Sequence, residues 1–194
     1  MTWDPFGTVH KALWIGGAPW AGKSTVARLL AARHGLTTYH HEYHEPGTPE
    51  DENASGDTSA ANMLDETVAE LPARFQRALD DLRALMSPRP IVAEGWGLWP
   101  ELVAPLVDSP ARMVVLVPTE VFRQHQLRHL SWTPPSGDQE RAQRIRVARD
   151  RMLAAQAVRA ARAVGIRVLE IDGTLGPERV TDVVADHFSE YLPA

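Results

Sequence analysis

The segment Gly17-Ala18-Pro19-Trp20-Ala21-Gly22-Lys23-Ser24 matches the pattern G-x-x-x-x-G-K-[ST] at every specified position. A loop of this kind constrains the fold around it, because it needs a buried strand to deliver it and a helix to follow it. Its glycines let the backbone wrap an anion, and the peptide N–H groups and the helix N-terminus face that anion. Lys23 is expected to reach the β- and γ-phosphates of ATP, and the Ser24 hydroxyl to ligate Mg²⁺. Thr25 adds a hydroxyl near the α-phosphate. Trp20 is a bulky insert, read either as a cover over the ribose or as a residue packed on the sheet edge.

The flanks supply the strand and the helix. Ala12-Leu13-Trp14-Ile15 is a short apolar run ending at Gly16-Gly17 and reads as a buried strand. Ser24 to His34 carries Val26, Leu29, Leu30 and Ala31 at helical spacing, with Gly35 as its C-cap. Leu36 to His40 reads as a second strand. Glu45 to Ser59, rich in Pro, Gly and acidic residues, reads as a loop. Ala60 to Met86 is helical in pattern, and Pro72 is expected to split it in two.

Ile91-Val92-Ala93 is a third strand, followed by Glu94-Gly95-Trp96-Gly97 and a short helix over Pro100–Val107. Met113–Val117 is a continuous apolar run, as in a central parallel strand. A helix over Thr119–Leu130, a break at Ser131–Asp138 and a long Arg/Ala-rich helix over Gln139–Val164 come next. Arg167–Ile171 is a fifth strand and Pro177–Tyr191 the last helix, with Pro177 suited to its first turn. Five strands alternating with helices predict one α/β domain over residues 1–194, a three-layer sandwich with a parallel sheet covered on both faces. Ligands of such sheets bind beyond the carboxyl ends of the strands.

Two of those ends carry acceptor-side candidates. Tyr39-His40-His41-Glu42-Tyr43-His44-Glu45 follows strand two. Its histidines and carboxylates do not have the spacing of a zinc site. Glu42 is placed to accept a hydroxyl proton or to hold the hydration shell of magnesium. Glu94 ends strand three and reads as a water-mediated Mg²⁺ carboxylate, a general base, or a capping or ion-paired group. Gly95 and Gly97 permit close backbone approach. Trp96 and Trp99 read as walls of an acceptor pocket or as core.

The break around residues 131–140 is the expected lid. Phosphoryl transfer needs cations against spreading negative charge, and guanidinium groups suit that task. Arg123 and Arg128 are the first candidates, then Arg141 or Arg144.

Composition narrows the class. Hydrophobic residues make up 44% and charged residues 23%, an ordinary globular balance, and there is no cysteine to ligate metal or form disulfides. The net charge of −5, with dispersed basic residues, argues against nucleic acid as partner. No apolar run approaches the roughly 18 residues of a membrane span. Met1–Lys11 lacks the apolar centre of a signal peptide. A cytoplasmic monomer or homodimer with a small-molecule acceptor is expected.

Taken together, the strand, phosphate loop and helix, the acceptor loop, the Glu-Gly strand end, the Arg-bearing lid and the closing Ile171-Asp172-Gly173-Thr174 resemble the nucleoside-monophosphate-kinase-like P-loop kinases. Shikimate kinases, gluconate kinases and chloramphenicol phosphotransferases are similar. The resemblance covers the architecture of nearly the whole chain, while only Gly17–Ser24 is specific in sequence. It implies sheet order 2-3-1-4-5, ATP as donor, and adenine between the lid helices and the Asp172–Thr174 loop. Where the family commonly has an Asp after strand two, this chain offers Glu42, and it has no sharply defined Walker B Asp. The expected activity is ATP-dependent phosphoryl transfer to a small hydroxyl-bearing metabolite. The alternatives are a nucleotide or nucleoside kinase, an NTPase without acceptor, and an ATP-binding regulatory module.

Overall fold

The computed structural model describes residues 4, 6–43, 59–85, 87–130 and 138–193. Five strands form one sheet: β1 Leu13–Gly17, β2 Thr37–His40, β3 Ile91–Glu94, β4 Met113–Pro118 and β5 Arg167–Ile171. Their order is β2-β3-β1-β4-β5, and all neighbouring pairs are parallel. The phosphate loop therefore leaves the central strand. Helices α1 Thr8–Lys11, α2 Lys23–His34, α3 Ala60–Ala84, α4 Pro100–Val103, α5 Glu120–Leu130, α6 Asp138–Ala163 and α7 Pro177–His187 surround the sheet.

Why β1 and β4, and β3 up to its terminal Glu94, are apolar follows from their burial on both faces. Alternate side chains go to opposite layers. Trp14, Ala93, Met113 and Val115 pack with Leu64, Leu71, Phe75 and Leu82 of α3 and Leu153 and Ala157 of α6. Leu13, Ile15, Val92, Val114 and Leu116 pack with Val26 and Leu30 of α2 and Val180, Val184 and Phe188. The sandwich thus has two separate cores, one on each side of the sheet.

One sequence expectation is corrected, and one element is added. Helix α3 is continuous across Pro72. Its buried face, Leu64, Leu71, Phe75, Ala78, Leu79 and Leu82, contributes about 1.5–3 kcal/mol for each large apolar side chain. That sum exceeds the roughly 3 kcal/mol cost of one internal proline, so the helix keeps its line. The N-terminal stretch, unassigned from sequence, forms α1, whose Thr8 and His10 amides donate to the Asp4 carboxylate at 2.8 and 3.1 Å. Elsewhere among the described residues only boundaries move, and the expected loop Glu45–Ser59 lies, up to Thr58, outside them. The Pro100–Val107 helix is α4 followed by a 3₁₀ turn over Ala104–Leu106, and Gly35 caps α2 with φ +65° as expected.

Candidate phosphate-loop site

Strand β1 runs into its loop through two glycines for which nothing larger substitutes. A Cβ on Gly16 would lie 2.5 Å from Met113 Cε and 2.6 Å from the Leu98 carbonyl oxygen. Gly17 has φ +113°, and a Cβ there would collide with the Leu116 backbone of β4. This close approach lets the Ala18 amide donate to the Leu116 carbonyl at 3.1 Å, tying the loop to the neighbouring strand. Gly22, at φ +77°, turns the chain into α2. Ala18 and Ala21 are buried beneath the loop. Lys23 is buried and its Nζ donates to the Ala18 carbonyl at 2.9 Å. Burial pulls the Lys23 pKa below that of an ordinary lysine, opposed by the nearby carboxylates of Glu42, Glu94 and Asp150.

A cavity of about 300 Å³ opens over this loop, lined by Pro19, Trp20, Gly22, Lys23, Ser24, Thr25, Glu42 and Trp96. It joins the predicted phosphate residues to the ends of β2 and β3. Glu42, in the 3₁₀ turn His41–Tyr43 after β2, is half-buried, and its Oε1 accepts the Trp96 amide at 2.9 Å. Burial raises the Glu42 pKa above the usual 4.5, with the Lys23 charge opposing and the Glu94 charge adding. The oxygen donors, Ser24 hydroxyl and Glu42 carboxylate, are of the hard type that magnesium selects. Ser24 and Glu42 are thus the cavity residues that could hold such an ion.

Glu94 lies deeper. It is 0% exposed, and its Oε1 accepts from His40 Nδ1 at 2.6 Å. Its Oε2 is buried with no hydrogen-bond partner among the described residues. Behind it, a Cβ on Gly95 or Gly97 would meet the ring or Cβ of His41. These two glycines thus make room for the buried His41. Trp99 is core, whereas Trp96 faces the cavity with the Arg74 guanidinium 5.1 Å from its ring centroid.

The remaining predicted residues stand apart from the cavity lining. Arg123 is 4% exposed, with Nη1 on Glu120 Oε2 at 2.7 Å and a buried Nε without a partner among the described residues. Arg128 is exposed and returns to its own helix, Nε to the Gln124 carbonyl at 3.2 Å. Arg144 is an exposed partner of Glu140. Asp172 and Thr174 close a turn after β5, in which the Thr174 amide and hydroxyl donate to Asp172 Oδ1 at 2.9 and 2.7 Å. Gly173 between them, at φ +86°, backs onto the Phe122 ring of α5. The lid segment Ser131–Gly137, with His44 and Glu45 of the acceptor loop, lies outside the described residues.

Two further residues belong to this region. Arg74 reaches Trp96 from the middle of α3, and its Nε and Nη2 donate to Glu70 Oε2 at 3.0 and 2.8 Å. Asp150 of α6 is 5% exposed and accepts from the Trp20 indole at 3.3 Å. Its trace in the sequence is slight: it is the one acidic residue between Arg141 and Arg162.

No protein-family model matches the chain, and no curated protein matches it. Among solved structures, a shikimate kinase from Acinetobacter baumannii in complex with shikimate is similar with a TM-score of 0.51 at 19% identity, over 97% of this chain and 100% of that one. A shikimate kinase from Aquifex aeolicus vf5 gives 0.44 at 15% identity, over 91% and 95%. An unliganded sugar kinase from Janibacter sp. HTCC2649 gives 0.42 at 12%, over 93% and 97%. Among the described residues no helix is long and apolar enough to cross a membrane. At these identities the likeness is one of architecture, and with sheet order β2-β3-β1-β4-β5 and the phosphate loop between β1 and α2, the chain has the α/β fold of the P-loop kinases.

Proposed function

We propose that this chain is an ATP-dependent kinase of a small hydroxyl-bearing molecule. The observation that carries the reading is the continuity of the cavity from Lys23, Ser24 and Thr25 to Glu42 and Trp96. Donor and acceptor chemistry then share one space. The loop amides from Gly17 to Ser24 would hold the phosphates, with Lys23 moving from the Ala18 carbonyl to the β- and γ-oxygens. Ser24 would hold Mg²⁺, which when bound neutralises charge on those oxygens. Glu42 would orient the acceptor hydroxyl and take its proton. Its raised pKa makes it a stronger base than an ordinary glutamate. Glu94, enclosed and bonded to His40, would support Glu42 and Lys23 electrostatically. Asp172 and Thr174 would border the adenine, and Arg123 and Arg128 would reach the phosphates only by leaving their present partners, Glu120 and the Gln124 carbonyl.

The acceptor proposed is neutral or weakly charged, not a nucleoside monophosphate. Glu42 would repel an acceptor phosphate, Trp96 offers an apolar wall, and the charge of Arg74 is offset by Glu70. A screen for ADP release with pooled sugars, polyols and aromatic alcohols tests this, set beside the common nucleoside monophosphates. Efficient turnover of a nucleoside monophosphate would replace the acceptor class. A second reading, an ATP-binding regulator, draws on the burial of Glu94 away from the cavity lining; saturable ATP binding without transfer to any acceptor would establish it.

A further inference from the structure

Trp20 lies inside the phosphate loop with φ +69°, and it is the one non-glycine residue with positive φ among the described residues. A side chain in this left-handed region crowds its own backbone, which glycine avoids. Gly17 and Gly22 absorb positive φ in the same loop without strain. Trp20 does not, so something outside the loop has to hold it.

The indole Nε1–H of Trp20 donates to Asp150 Oδ2 at 3.3 Å, across 130 residues of sequence. Asp150 is 5% exposed. Its other oxygen, Oδ1, accepts from Arg149 Nε and Nη2 at 3.1 and 2.8 Å. The carboxylate is thus divided between two tasks. Arg149 compensates its charge, as a buried carboxylate requires, and Oδ2 is left as a directed acceptor. Indole can only donate, so an acceptor is what its N–H needs here. Asp150 is also near enough to Lys23 for its charge to act on the ammonium.

We propose that Asp150 is a positioning residue for the phosphate loop. It holds the Trp20 indole against α6, keeps residue 20 in its strained backbone conformation, and so keeps the loop amides spread around the place where ATP phosphates bind. Arg149 serves Asp150 as its counter-ion. The inference rests on the reading of this cavity as an ATP site and adds a determinant of loop shape that the sequence motif does not contain.

The test is Mg·ATP affinity by calorimetry for the full chain and four variants, with the indole N–H resonances followed by NMR. Trp20→Phe removes the indole donor and leaves the Asp150–Arg149 pair intact, which guards against misfolding. It should weaken ATP binding about tenfold, the factor expected for one hydrogen bond with the strain it offsets. Asp150→Ala should do the same and shift the Trp20 indole resonance, identified by its loss in Trp20→Phe. In Trp20→Gly, residue 20 takes positive φ freely, so adding Asp150→Ala should change affinity no further. Wild-type affinity in Trp20→Phe, or a full Asp150→Ala effect in the Trp20→Gly background, would overturn the positioning role. Wild-type protein that binds no ATP would instead overturn the ATP-site reading, and the inference with it.

Discussion

His40 and Glu94 are register partners on β2 and β3, and His40 Nδ1 donates to Glu94 Oε1 at 2.6 Å. The two Cα atoms face each other across the ladder, so strand pairing itself brings the imidazole to the carboxylate. Glu94 has no exposure, so its Oε1 depends on His40 for a hydrogen bond that water does not supply. Leaving a buried acceptor without its donor costs about 1–3 kcal/mol. His40→Ala is therefore expected to lower unfolding free energy by about 2 kcal/mol. Urea denaturation measures this, and an unchanged midpoint would show that the pair contributes nothing.

Lys23 is the one cation lining the cavity among the described residues. Lys23→Ala removes the charge that would meet the β- and γ-phosphates. Transfer should fall by about 100-fold or more, and ATP affinity by about tenfold. Steady-state kinetics and calorimetry on the variant check both, and wild-type turnover would remove the loop from the proposed mechanism.

Burial raises the Glu42 pKa above 4.5. A base works only when ionised, so activity should fall as pH drops through that raised value. Its acidic limb should lie above the range of an ordinary glutamate. Glu42→Gln should lower kcat by about 10²–10⁴ and abolish this limb. A pH–rate profile of the variant that keeps the limb would assign the base elsewhere.

Glu120 has a pKa lowered from 4.5 to about 2, chiefly by hydrogen bonds from Arg151, whose Nη2 and Nε both reach it. A depressed carboxylate stabilises the fold at pH above its unfolded pKa, and the contribution is lost as pH falls through the folded one. Glu120 is exposed, so solvent screening limits the effect. Glu120→Gln should match wild type in thermal stability at pH 2 and be slightly less stable at pH 6. Equal melting temperatures of the two proteins at pH 6 would show the triad with Arg123 and Arg151 to be energetically neutral.

Gly17 through Thr25 determined by themselves the loop between β1 and α2, because that design is local: glycine conformation, consecutive amides and a helix start within one short stretch. The five strands were legible for a related reason. Burial on both faces leaves runs such as Met113–Val117 with nothing polar to show. Pro72 misled because a local rule met a buried face whose contribution is spread along all of α3. What only the tertiary structure decided is how charge is shared around the cavity. Glu42 and Glu94 look equivalent as carboxylates after strands, yet one lines the cavity and the other is enclosed by a histidine 54 residues away. Asp150 reaches the loop across 130 residues. Burial and pairing depend on which elements cover each strand end, and that is set by the packing of the whole sandwich, not by the neighbours of a residue along the chain.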